Sequence, residues 1–578
     1  GVDISEDWKR EYPYAPVASH VVGFLGAILE RQLSYYMALK YSPNERVGQY
    51  GVEQTYESYL RGKPGYVRYE VNARGQILRQ MERIEPVPGN DIQLTIDLSY
   101  QQYAEQALET SLKLRRRVDA GTVRLPDGTQ DPAFPEENLY KAPAGSSVLL
   151  NNVTGEVIAM ASYPNFDNRW FGSGISSEKF QQLFPQTKDP DMAIMVNRAV
   201  SGRYNLGSTF KPFTAFAALN TGQLAGGSEF VYKDQGTYKL ESIPNGRCNE
   251  GVKCVFKNAF CASTNSPCTY GPVNVEDALA VSSDAFFYKI GEQILTQRGY
   301  KPILEEQVRL FGFGSPTGID LPYEFGGALP SKALKKQLAD DGAISKEEGR
   351  AFYVGDNVQF AIGQGLLSAT PIQLAVAYSA IANGGLVVTP HVVKAILVPG
   401  TPDGDSGFID IAQMVVEKDF SQGRIQREID MNKENRDPIV NGLRRVIEGR
   451  GVDFGYYHKA TGELLFKNYA RKTLPIAGKT GTAQGFGNYP WNDSSAFAAF
   501  SLDPNQPYTA VAYLEKSGYG SQAAAPVVKC LFSALAGQTK PSAVVPSDPL
   551  DINASAVSPV QFLANPLCLS GFGGSVRD

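Results

Sequence analysis

Residues 147–161 read SVLLNNVTGEVIAMA, and this stretch decides the fold. Two apolar runs, Ser147 to Leu150 and Val157 to Ala161, flank Asn151-Asn152-Val153-Thr154-Gly155. Apolar runs split by such turn residues predict a β-hairpin. The pattern returns near the C-terminus. Ala496 to Leu502 and Tyr508 to Tyr513 are strand-like and are split by Asp503-Pro504-Asn505-Gln506-Pro507, a turn signal. Between the two pairs lie helical patterns at Ser208 to Leu219, Val275 to Leu295 and Pro371 to Ala382, and Ala523 to Leu535 predicts a closing helix. Strands that flank a helical middle argue for a mixed α/β layer architecture. Upstream, Asp91 to Ile96 alternates like a strand and Leu98 to Leu112 predicts a helix. Residues 1 to about 90 are aromatic-rich and punctuated by Gly and Pro. Residues 116–141 are loop-like, with a turn at Pro126-Asp127-Gly128, and residues 540–560 read as a solvated tail.

Composition narrows the function. Of 578 residues, 43% are hydrophobic and 20% charged, which excludes wholesale disorder. The formal charge of −5 gives no support for a protein that coats nucleic acid. No run approaches the ~18 apolar residues of a membrane span; the best, Val21 to Leu29, is too short. The chain starts at Gly1, so it reads as an excised or processed segment. Three histidines, His20, His391 and His458, leave little room for His-based metal sites or a Ser-His-Asp triad. Six cysteines occur: Cys248, Cys254, Cys261, Cys268, Cys530 and Cys568. In an exported protein they read as disulfides. The rival is a four-thiolate zinc site, but its usual C-x-x-C pairs are missing. The three pairings open to the first four cysteines stay open.

Three short segments carry candidate chemistry. In Gly207-Ser208-Thr209-Phe210-Lys211-Pro212, Pro212 is tolerated only in a helix's first turn. Ser208 and Lys211 then share one face near the amino end. A lysine there can take the serine proton if its surroundings favour the neutral amine. Ser176-Ser177-Glu178-Lys179 has the same S-x-x-K spacing but sits in a polar stretch, where it reads as solvated surface. Taken alone, Ser208 is as well explained as a helix cap. The second segment is Ser282-Ser283-Asp284, within a helix-like pattern. Ser5-Glu6-Asp7, Ser42-Pro43-Asn44 and Ser263-Thr264-Asn265 match the same loose S-x-[ND] form, and ordinary helix-end hydrogen bonding would explain any of them. The third is Gly478-Lys479-Thr480-Gly481-Thr482-Ala483, where glycine allows close backbone approach by a ligand and an extended peptide could add as a strand. A tight turn is the plainer alternative. A P-loop fails, because Thr473 stands where glycine is required. The order S-x-x-K, S-x-[ND], K-T-G is far more specific than any one segment.

With these motifs the chain resembles the penicillin-binding serine acyltransferases. Ser147 to Asp167 (SVLLNNVTGEVIAMASYPNFD) is similar to the opening of their transpeptidase domain, and Asn274 to Gly291 (NVEDALAVSSDAFFYKIG) to the surroundings of their second motif. The latter favours Ser282 over Ser263. TGIDLPYE (317–324), GQGLLSATPIQLAVAYSAIANGG (363–385) and AGKTGTAQ (477–484) are similar too, and YGVEQTYESYLRGKPG (50–65) resembles the non-catalytic pedestal of class B members. The S-x-D form of the second motif looks more like the elongation type than the division type. Two departures stand out: a cysteine-bearing stretch lengthens the gap between the first and second motifs, and the pedestal's usual opening is absent. No segment resembles a glycosyltransferase.

The resemblance implies a multi-domain α+β chain: a pedestal at 1–141, a transpeptidase domain at 142–539 built on an antiparallel five-stranded sheet flanked by helices, and a tail at 540–578. It implies acyl transfer at D-Ala-D-Ala stem peptides of peptidoglycan, without a cofactor or metal, and acylation by β-lactam antibiotics. Ser208 would be the nucleophile and Lys211 the general base. Ser282 and Lys479 would relay the proton, with Asp284 holding them. Thr480, Gly481 and Thr482 would bind substrate, and the N–H groups of Ser208 and Thr482 would form the oxyanion hole. The implied setting is the extracytoplasmic face of a bacterial membrane, on an N-terminal anchor that precedes this chain. A SEDS-family glycan polymerase is the implied partner, with no nucleic acid. Two other functions fit the same motifs: a D,D-carboxypeptidase or β-lactamase, and a non-enzymatic β-lactam sensor or scaffold.

Overall fold

The computed structural model describes residues 10–118, 139–172, 175–183, 193–244, 254–261, 266–400, 413–449, 459–485, 493–546 and 566–569. The turn expected at Pro126-Asp127-Gly128, the Ser263-Thr264-Asn265 match, Cys248 and His458 lie outside these residues. No described helix is long and apolar enough to cross a membrane.

The expected hairpin is present. After helix α1 (Leu98–Arg115), strand β1 (Gly145–Asn151) pairs antiparallel with β2 (Val157–Tyr163). Helices α2 (Lys211–Asn220), α3 (Val275–Val281), α4 (Asp284–Thr296), α5 (Pro371–Asn383) and α6 (Lys433–Glu448) follow. Strands β3 (Ile476–Ala483), β4 (Ser494–Ser501) and β5 (Tyr508–Leu514) and helix α7 (Ala524–Leu535) complete the domain. The sheet runs β3-β4-β5-β1-β2, every neighbour antiparallel. The chain's first and last strand pairs therefore meet at β5 and β1.

Both faces of this sheet are covered, which explains why its strands read as apolar runs rather than as alternating ones. Side chains still alternate between faces. Val148, Leu150, Val157 and Met160 join the core shared with α2, α4 and α5, whereas Leu149, Ala159 and Ala161 join the core under α1 and α7. Alanines of β4 (Ala496, Ala498 and Ala499) are fully buried, and their small side chains let helices approach from both sides. Cys530 of α7 is disulfide-bonded to Cys568, which returns the chain near its end to this second core. Cys254 and Cys268 each take part in a disulfide as well, which removes the zinc reading for those two thiols.

The N-terminal residues form a separate set of small elements, with a two-stranded sheet of Phe24–Ala27 and Arg46–Tyr50 and an exposed hairpin of Tyr66–Val71 and Ile77–Ile84. They are keyed to the rest by polar contacts. The Tyr50 hydroxyl donates to Met195 O at 2.7 Å and accepts from Asn197 N at 3.1 Å.

Two helices depart from the sequence expectation. Ser208 does not begin the α-helix; it lies in a 3-10 turn, Gly207–Phe210, and α2 starts at Lys211 with Pro212 in its first turn. The single helix expected over Val275 to Leu295 is two, broken at Ser282. The other S-x-x-K match lies at the start of a short helix, Ser177–Leu183, with Ser176 and Ser177 exposed, as a surface match should be.

Helix α2 is buried on nearly every residue. Its Phe213 sits among Phe311, Phe313 and Tyr378, with ring centroids 4.9, 5.0 and 5.5 Å away. Phe213→Ala removes this anchor and is expected to destabilise the domain by roughly 3–5 kcal/mol, read as a lowered midpoint in thermal unfolding followed by circular dichroism. An unchanged midpoint would show that the aromatic cluster does not hold α2.

Candidate active site

The first two motifs meet through one nitrogen. Lys211 is fully buried, and its Nζ donates to Ser282 O at 2.7 Å and to Ser282 Oγ at 3.1 Å. The same nitrogen lies 2.7 Å from Asp284 Oδ1. A lysine ammonium has three protons and no acceptor, so these three oxygens suit the charged form. The break between α3 and α4 makes the contact available. In a continuous helix the Ser282 carbonyl would accept from Phe286 N. Instead Ser282 adopts φ 61°, ψ 40°, Phe286 N turns to the Ser283 hydroxyl at 3.1 Å, and the Ser282 carbonyl faces Lys211.

The third motif is strand β3, not a turn. It packs against the Ser208 turn with almost no space between backbones. Gly207 has φ +53°, and a Cβ there would lie 2.3 Å from Thr482 O and 2.9 Å from Thr482 N. A Cβ on Gly481 would lie 2.8 Å from Leu206 O. Glycine at both positions is what lets the Ser208 turn lie against the strand.

A cavity of about 780 Å³ opens where these elements converge, lined by Ser208, Ser282, Asp284 and Thr482 among others. Four predicted residues therefore share one cavity, and Lys211 reaches it through Ser282 and Asp284. Lys479 is buried in β3, its Nζ 3.2 Å from Thr480 O. Thr480 is fully buried too, and its hydroxyl donates to Thr461 Oγ1 at 2.7 Å. Thr482 is only partly buried; its Oγ1 accepts from Gly520 N at 3.3 Å and its carbonyl from Gln364 Nε2 at 2.8 Å. Among the described residues no cluster of three or more His, Cys, Asp or Glu side chains could hold a metal.

Other wall residues carried no motif signal. Tyr288, Asp493, Tyr519 and Asn258 line the same cavity. Burial first, and the Asp284 charge second, push the Tyr288 phenol well above its ordinary value, so it stays protonated. Burial also raises the Asp493 carboxyl, against the Gly485 N–H that donates to it at 2.9 Å. Tyr288, Gln364 and Gln484 lie in stretches that carry the family resemblance, but none of them belongs to one of the three motifs.

Comparison with known proteins gives the family. The penicillin binding protein transpeptidase domain matches residues 145–533, and the penicillin-binding protein dimerisation domain matches residues 1–94. The chain belongs to the penicillin-binding transpeptidases. It is 28% identical over 546 residues to the peptidoglycan D,D-transpeptidase MrdA of Escherichia coli K12, covering 90% of this chain and 70% of that protein. It is 29% identical over 507 residues to penicillin-binding protein 2A of Bacillus subtilis, covering 85% and 57%. Among solved structures it is similar to a chain of a peptidoglycan synthase complex (TM-score 0.67, 29% identity, 93% and 77% covered). It is also similar to Pseudomonas aeruginosa PBP2 in complex with WCK 5153 (TM-score 0.63, 25% identity, 92% of each chain covered). This penicillin-binding transpeptidase thus pairs a dimerisation-type N-terminal region with a transpeptidase domain, the class B organisation expected from its motifs.

The close approach of Gly207 to Thr482 gives a test independent of activity. Gly207→Ala forces a left-handed alanine into β3's backbone and is expected to cost at least about 2 kcal/mol, seen as a fall in thermal midpoint. A wild-type midpoint would mean that the turn and the strand are not in contact.

Proposed function

We propose that this penicillin-binding transpeptidase cross-links peptidoglycan stem peptides, with Ser208 as the acylated nucleophile. One observation carries the assignment: the Lys211 nitrogen is bonded to Ser282 and Asp284 at the cavity that Ser208 lines. With Lys211 in its neutral form as general base, Ser208 Oγ attacks the carbonyl of the penultimate D-alanine and gives its proton to that amine, and the three oxygens around Nζ hold the ammonium formed in this step. Asp284 stabilises the ammonium that results. The tetrahedral oxyanion lies between the N–H groups of Ser208 and Thr482, a contribution of about 3–4 kcal/mol per donor in related acyl transfers. The short distance between the Gly207 and Thr482 backbones supports that pairing. The departing D-alanine amine takes its proton through Ser282 Oγ and Lys479, leaving an ester on Ser208. An amine of a neighbouring stem then attacks the ester, forms the cross-link and frees Ser208. The Thr482 hydroxyl, at the open end of β3, binds the substrate carboxylate, with Thr480 and Gly481 shaping the strand it lies on. A β-lactam enters by the same attack, and its ring opens to give a stable ester on Ser208.

The reading extends to the whole chain. Residues 1–141 act as the pedestal, 142–539 as the transpeptidase domain and 540–578 as the tail, with α1 packed into the transpeptidase core from the pedestal side of that boundary. The protein works at the extracytoplasmic face of the membrane on an N-terminal anchor, in cell-wall elongation beside a SEDS-family glycan polymerase. Its relatives in a peptidoglycan synthase complex, and the likeness to MrdA, support that setting.

Kinetics of covalent labelling by a fluorescent penicillin, followed on the intact protein, test the assignment. Ser208→Ala is expected to form no adduct. Lys211→Ala is expected to label at least roughly 10²-fold more slowly, the scale of a lost general base. Labelling of Ser208→Ala, or a wild-type rate in Lys211→Ala, would overturn it. Wild-type adduct that hydrolyses within seconds would favour a β-lactamase instead.

A further inference from the structure

The cysteine-bearing stretch between the first two motifs does more than lengthen the chain. It carries Asp234, at the end of the strand Tyr232–Asp234, and Asn258, just after the strand Val255–Lys257. Both are almost fully buried, at 2% and 3% exposure, and both meet the second motif, Asn258 also reaching the cavity wall. Asn258 Oδ1 accepts from Ala285 N at 2.7 Å. Its Nδ2 donates to both Asp234 oxygens at 2.9 Å and to Cys268 O at 2.8 Å. Asp234 Oδ2 also accepts from the Ser283 hydroxyl, and Asp234 Oδ1 from Gly236 N at 2.7 Å. Ser283 Oγ in turn accepts from Phe286 N.

These bonds grip the two residues that alternate with the reacting ones. Ser283 and Ala285 are held; Ser282 and Asp284 lie between and beside them and face Lys211. The held turn includes a strained position, because Ser282 is a non-glycine residue in the left-handed region. Such a conformation persists only where its surroundings over-determine it. Two first-turn N–H groups of α4, those of Ala285 and Phe286, are capped by this same network rather than by local helix bonds. The amide orientation of Asn258 is fixed as well. Its oxygen meets a donor and its nitrogen meets three acceptors, so the reversed side chain would break every contact.

We propose that Asp234 and Asn258 are positioning residues for acylation. They clamp the Ser282–Asp284 turn and so fix where Lys211 stands relative to Ser208. The inference rests on the assignment of Ser208 and Lys211 made above. The bond from Asn258 to the carbonyl of disulfide-bonded Cys268 makes the insertion a strut of the active site rather than a surface ornament.

The test separates rate from amount. Labelling of the full chain by a fluorescent penicillin is followed to completion in wild type, Asn258→Ala and Ser283→Ala, giving a second-order rate constant and a labelled fraction for each. A positioning role predicts complete labelling at a rate roughly 10- to 100-fold below wild type, the scale of a small misplacement of reacting groups. A merely structural role lowers the labelled fraction while the surviving molecules react at the wild-type rate. That result, or a wild-type rate in both variants, would overturn the proposal. If Asn258→Ala fails to fold, Ser283→Ala, which keeps the backbone and removes only the hydroxyl between Asp234 and Phe286, decides the matter. Labelling of Ser208→Ala would instead sink the nucleophile assignment, so the two failures stay distinguishable.

Discussion

A buried cation governs this site. The Lys211 side chain has no solvent exposure, and an ammonium removed from water is tolerated only where hydrogen-bonded oxygens and an opposite charge replace it. The Ser282 carbonyl and hydroxyl and the Asp284 carboxylate do so. Removing one partner from such a pair typically costs about 3–5 kcal/mol, because a lone charge is left inside. The chain pays for this contact with the broken helix: only a break at Ser282 frees a carbonyl that a continuous helix would keep.

Ser208, the proposed nucleophile, is placed by a different means. Ser208 sits in a 3-10 turn between Gly207, pressed on β3, and Lys211, anchored in α2. Backbone contact on one side and a cluster of phenylalanines on the other leave the turn little freedom. Rigid elements therefore present Ser208 and Lys211, while the cavity walls carry groups such as Tyr288 and Asp493 whose protonation burial favours.

Much of this was legible in the sequence. The hairpin at 147–161, the closing strands and helices α1, α5 and α7 follow from apolar runs with clear turn residues between them. The three motifs identified Ser208, Ser282, Asp284 and Thr482, which now share a cavity. The break at Ser282 was not legible. The apolar pattern runs on through Val281, Ala285 and Phe286, and no Gly or Pro marks the stop. The left-handed serine is imposed by tertiary contacts. Asp234 and Asn258 were equally silent, because they act through partners 49 and 27 residues away, and neither belongs to a short motif. Thr480 shows the limit of reading a motif residue by residue: its neighbour by two reaches the cavity, whereas its own hydroxyl is taken by Thr461.

The proposed chemistry turns on one atom, the Ser208 hydroxyl oxygen. Proteolysis of the penicillin-treated protein, followed by tandem mass spectrometry of the modified peptide, tests it most directly. A single penicilloyl ester on Ser208 is expected. An ester on Ser282 or on any other hydroxyl, or none at all, would contradict it.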